Sequence, residues 1–67
     1  MSYLVQFDEG RITVEAEVCV ELRGDELECY LDGWWINGTL MPRKGCPDGL
    51  LDQIFELAED EYIEDTY

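Results

Sequence analysis

Carboxylates are the functional groups this chain supplies in quantity. Asp and Glu number 17, against Arg11, Arg23, Arg43 and Lys44, with no histidine and a formal charge of −13. Carboxylates can move protons in pairs, ligate hard cations, or present negative charge to a basic partner. Spacing separates these chemistries. In "ITVEAEVCVEL" Glu15, Glu17 and Glu21 fall on alternate residues, and in the C-terminal segment Asp52, Glu56, Asp60 and Glu64 recur every fourth residue. Both patterns draw the acids into lines. Calcium binding needs ligands that converge, as in the D-x-D-x-D-G-x5-E loop, which does not occur here. A glycosidase-like acid pair needs a sheltered cleft, for which 67 residues leave little room. No metal site and no cofactor is expected.

Other chemistries lack parts. Ser2 is the sole serine, and no G-x-S-x-G, P-loop or dinucleotide fingerprint is present. Cys19, Cys29 and Cys46 match neither a C-x-x-C nor a zinc spacing, and an odd count cannot close into a disulfide framework. A nucleophilic cysteine needs a cationic neighbour or a base, whereas the anionic field here raises thiol pKa. The reading is a non-enzymatic protein with reduced thiols.

Elements that would position the carboxylates follow from the alternation. Strands are expected over about residues 3–8, 12–22, 26–36 and 39–41, and a helix over about 48–64, within a single domain spanning 1–67. Ile12, Val14, Ala16, Val18, Val20 and Leu22 share one face of the second strand, and Thr13, Glu15, Glu17, Cys19 and Glu21 the other. With Glu9 and Gly10 as the first loop, Phe7 faces Ile12 and the apolar parities agree. The second loop fits as Arg23-Gly24, which sets Glu21 opposite Glu26 and Glu15 opposite Asp32. It fits equally as Gly24-Asp25, which sets Glu21 opposite Glu28 and Glu17 opposite Asp32. Either places like charges across from one another, at up to about 1 kcal/mol per pair.

Asn37-Gly38 marks a third hairpin. An unbulged third strand places Trp35 in the core with Leu31, opposite Leu40, and Trp34 on the acidic face beside Tyr30 and Asp32; a bulge at Gly33 would exchange the tryptophans. Asp48 is the expected helix N-cap. Leu50, Leu51, Ile54, Phe55, Ala58 and Tyr62 form the apolar helix face, and Trp35, Leu31, Phe7, Val14, Val18, Ile54, Phe55 and Ala58 the core. The expected architecture is α+β: an antiparallel meander of three to four strands with one C-terminal helix on its apolar face.

Acid density decides between a solvated surface and a built one. A folded chain of this mass exposes about 4,400 Å², so scattered acids would place about three in a footprint of roughly 800 Å². The expected sheet face gathers Glu15, Glu17, Glu21, Glu26, Glu28 and Asp32, with Tyr30 and Trp34 as aromatic anchors. The helix contributes a second row, Asp52, Glu56, Asp60 and Glu64, with Glu59 adjacent. Acids two apart on a strand lie about 6.8 Å from one another and four apart on a helix about 6 Å. Such regular anionic lines present a groove of Lys and Arg with a lattice like that of a phosphate backbone. The expected role is charge mimicry of DNA or RNA, with no direct binding of nucleic acid or membrane by the chain itself.

The acidic strand "VEAEVCVEL", the acidic helix "LLDQIFELAEDEYIED" and the small size resemble the phage-encoded inhibitors of host defence, anti-CRISPR and anti-restriction proteins among them. The resemblance implies a CRISPR effector or other nuclease as partner, its DNA entry site as target, and the host cytoplasm as compartment. An antitoxin or immunity protein that neutralises a basic nuclease toxin is the alternative. Exposed edge strands also admit a homodimer.

Overall fold

The computed structural model describes residues 1–66. Four strands in chain order, β1 (Ser2–Glu9), β2 (Ile12–Arg23), β3 (Glu26–Ile36) and β4 (Thr39–Met41), form one antiparallel sheet of order β1-β2-β3-β4. A 3-10 turn (Arg43–Gly45) leads into helix α1 (Asp48–Thr66), which packs on one face of the sheet. The expected α+β meander is therefore the observed fold.

Two-residue hairpins hold the sheet in register. Asn37 and Gly38 both have positive φ, 49° and 84°, as a type I′ turn demands. The first hairpin differs from expectation: its loop is Gly10-Arg11, so that Phe7 faces Val14 and Val5 faces Ala16. The expected Glu9-Gly10 loop would ask glutamate for a left-handed backbone, whereas here Gly10 alone takes it, at φ 63°. Because the shift is two residues, every side chain keeps its face. In the second hairpin the loop is Gly24-Asp25, and Glu21 stands opposite Glu28.

Tyr3, Val5, Val14, Ala16, Val18, Val20 and Trp34 from the sheet pack with Ile54 and Ala58 of α1 to make the buried core. The alternation of β1 and β2 dictates this face, and the three- and four-residue periodicity of α1 dictates its partner.

Trp34 departs from expectation. The pairing between β2 and β3 shifts between Glu17 and Val18, where Leu31 faces Val18, Gly33 faces Glu17, and Asp32 is the extra residue of a β-bulge. Downstream of it the alternation inverts, so Trp34 opposes Ala16 in the core at 2% exposure and Trp35 opposes Glu15 on the acidic face. Trp35 is therefore not a core residue, and Trp34 is not an exposed anchor. The buried indole is satisfied: its Nε1–H donates to the Pro42 carbonyl at 2.8 Å, which pins the segment after β4 over the core.

The helix starts at the expected residue 48, but its cap differs by one residue. The Leu51 amide donates to the Pro47 carbonyl at 2.9 Å, so Pro47 occupies the cap position and Asp48 is the first helical residue. At the other end Thr66 Oγ1 donates to the Tyr62 carbonyl at 2.8 Å, closing a last turn beyond the expected end at 64.

Candidate interaction surface

The outer face of the sheet, turned away from α1, carries the carboxylates of β2. Glu15, Glu17 and Glu21 project there because Val14, Ala16, Val18 and Val20 are buried on the helix side. Glu26, Glu28 and Tyr30 of β3 share that face by parity and register. Asp32, at the bulge, is exposed but has no pairing partner on β2, so neither expected opposition, with Glu15 or with Glu17, occurs.

An aromatic lane runs beside the carboxylate stripe. Tyr30 stands opposite Cys19, and Trp35 opposite Glu15 on one side and Leu40 on the other. Trp35 lies over Gly33, where an added Cβ would come within 3.2 Å of its ring, so the absence of a side chain at Gly33 lets the indole rest on the strand. On the other flank β1 contributes Leu4, opposite Glu17, and Gln6, opposite Glu15. Leu4 and Leu40 are among the most exposed large apolar side chains, at 64% and 65%. The face is thus a line of acids bordered by aromatic and neutral positions.

Little of this charge is compensated. Among the described residues the one ion pair joins Arg23 Nε to a Glu28 oxygen at 3.4 Å, at the hairpin end of the face. The Tyr30 hydroxyl donates to the same Glu28 oxygen at 2.6 Å. That hydrogen bond, and secondarily the carboxylate charge, raise the Tyr30 pKa above its ordinary 10.0. Arg11 lies in the first hairpin loop, and Arg43 and Lys44 in the 3-10 turn. Among the described residues no cation lies within ion-pairing distance of Glu15, Glu17 or Glu21.

Asp52, Glu56, Asp60 and Glu64 are exposed on α1. They lie across the molecule from the sheet row, because the helix covers the opposite side of the sheet. A single groove meeting the sheet face cannot also grip the helix row; the two rows expected from the sequence are separate acidic surfaces. Glu59 belongs to neither. It is half-buried and accepts from the Cys29 thiol at 3.7 Å, bridging α1 to β3.

That contact bears on thiol chemistry. Burial, then the charge of Glu59 and its hydrogen bond, push the Cys29 thiol up to about 11. Burial and then Asp48 also raise Cys46. Cys19 and Cys29 occupy opposite faces of the sheet, and all three cysteines are free thiols. Among the described residues no group of three or more His, Cys, Asp or Glu side chains could hold a metal ion. Among the described residues no helix is long and apolar enough to cross a membrane.

Sequence reasoning took Trp34 as the surface aromatic and gave that place to Trp35 only with a bulge at Gly33; the bulge falls one residue earlier, at Asp32, and makes that exchange. A signal was available: Trp34 and Ile36 share a parity, so turning that parity inward buries two large apolar residues where the unbulged strand buries Trp35 alone. Comparison with protein-family models, with characterised proteins and with solved structures finds no match to the chain.

Proposed function

We propose that this protein is a non-enzymatic inhibitor that imitates the charge of nucleic acid and occupies the basic binding groove of a nuclease or CRISPR-type effector. One observation carries the reading: Glu15, Glu17 and Glu21 form an unpaired carboxylate stripe on the sheet, with Trp35 and Tyr30 alongside. A folded domain that sets Glu21 directly opposite Glu28 accepts repulsion of up to about 1 kcal/mol. Functional surfaces are where such local conflicts concentrate. Side chains two apart on a strand repeat at about 6.8 Å, a spacing that Lys and Arg arranged for successive phosphates can meet. Grooves that hold single strands combine cations with surfaces for stacked bases. The lane of Trp35 and Tyr30 gives such a groove rings to stack on beside the anions. Charge complementarity would steer the encounter, and the aromatics would hold the complex.

The test pairs a functional with a physical readout. Expressed in a host whose CRISPR or restriction system blocks a test phage, the protein should restore plaque formation. Glu17→Lys with Glu21→Lys, both exposed and away from the core, should abolish that rescue while leaving the circular dichroism spectrum intact. With purified effector, duplex DNA and the protein should exclude one another. An effector that binds both at once, or a charge-reversed variant that protects as well as the wild type, would refute the proposal.

A further inference from the structure

The free edge of β1 differs in charge from the rest of the molecule. Met1 to Phe7 contains no ionisable side chain other than Tyr3, yet it lies along the long outer edge of a sheet whose inner strands carry the carboxylates. The opposite edge, β4, is three residues long. Exposed edges pair with other chains unless lysine, proline or charge guards them. None of these guards the stretch from Ser2 to Phe7.

Hydrogen-bond parity fixes what the edge offers. Met1 and Val20 exchange backbone hydrogen bonds of 2.8 and 2.9 Å, so Met1 turns its peptide groups toward β2. In an antiparallel pair such residues alternate with residues whose N–H and C=O point away. Tyr3, Val5, Phe7 and Glu9 therefore face β2, while Ser2, Leu4, Gln6 and Asp8 present theirs to solvent.

We propose that β1 pairs antiparallel with β1 of a second copy, about a twofold axis at Val5, to make a continuous eight-stranded sheet. In this register Leu4 lies opposite Gln6 and Ser2 opposite Asp8 of the second copy, so all four outward-facing residues find partners and no two carboxylates oppose. The charge distribution favours a second copy at this edge above any other surface. The β2 strands would stand three strand spacings apart, about 14 Å, beyond the roughly 8 Å over which exposed charges act at physiological salt. Contact through the outer face or through α1 would instead set carboxylates against carboxylates. The axis runs perpendicular to the sheet, which puts both outer faces on one side and joins their acidic stripes. The pairing stands independently of the proposed function; only that last consequence rests on it.

Sedimentation equilibrium at about 150 mM NaCl and protein concentrations up to about 300 µM tests the pairing, since an edge contact belongs with the smaller, weaker interfaces. The wild type should approach twice its 7.8 kDa mass, and more readily as salt rises. Gln6→Pro removes an N–H that faces outward, costs no bond to β2, and should hold the protein at 7.8 kDa with an unchanged circular dichroism spectrum. Leu4→Asp, at a position 64% exposed, should do the same by like-charge repulsion and serves if the proline variant fails to fold. A wild type that stays monomeric throughout, or folded edge variants that dimerise like it, overturns the proposal. A monomer that still excludes DNA from an effector defeats the pairing alone, and a dimer that no effector recognises defeats the mimicry alone.

Discussion

Trp34 and Trp35 are adjacent in sequence and opposite in role, and their substitution should separate stability from binding. Trp34→Ala removes a fully buried indole and its hydrogen bond to Pro42, and should cost about 3–5 kcal/mol in urea denaturation. Trp35→Ala should cost about 1 kcal/mol or less of stability yet weaken capture of the partner by about 2 kcal/mol or more. Equal losses of stability would contradict the bulge. Cys29 supplies a pH dependence. Its folded thiol holds a proton up to about 11 against an ordinary 9.0, so the stability linked to the protonated form is complete below pH 9 and is lost as pH rises toward 11. Tyr3, raised above 10.0 by burial and then by its hydrogen bond to Asp65, acts in the same direction at higher pH. Urea midpoints should fall between pH 9 and 11, and Glu59→Gln should accelerate alkylation of Cys29 at pH 9 by releasing its proton more readily.

Each element couples a stabilising face to a face that works against it. In α1, Ile54 and Ala58 anchor the helix on the sheet while Asp52, Glu56 and Asp60 repel one another at four-residue spacing, and no basic residue occupies the last turn. Glu56→Lys converts two such repulsions into attractions, each contact being worth about 0.2–0.5 kcal/mol. The variant should be stabilised by about 1 kcal/mol, raising Tm by about 4–8 °C in a domain of this size. A thermal melt showing no gain would mean that the helix row is already compensated. In β3 the bulge at Asp32 inverts the alternation midway, which lets one strand bury Leu31 and Trp34 on the same side while sending Trp35 to the other.

For the molecule as a whole, a charge of −13 distributed over 4744 Å² of surface sets the response to salt. Screening relieves self-repulsion, so Tm of the free protein should rise as NaCl goes from about 50 to about 500 mM. Association with a basic partner should weaken over the same range, since screening removes the attraction that drives it. A melting temperature that falls with salt would show that the carboxylates are paired rather than exposed. The opposite signs expected for folding and for partner binding make the two effects separable in one titration.

Alternation and helical periodicity made most of this fold legible in the chain. The order of strands and helix, the buried parity of β2 and the placement of Glu15, Glu17 and Glu21 on one face all follow from residue periods that local geometry alone enforces. What local geometry cannot supply is a choice between packings of equal local merit. The loops Glu9-Gly10 and Gly10-Arg11 preserve the same parity, and a third strand with or without a bulge satisfies the same backbone rules. Burial settled the second choice: Trp34 and Ile36 together remove more apolar surface from water than Trp35 alone, and only the assembled sheet and helix provide the cavity that an indole of that size can fill.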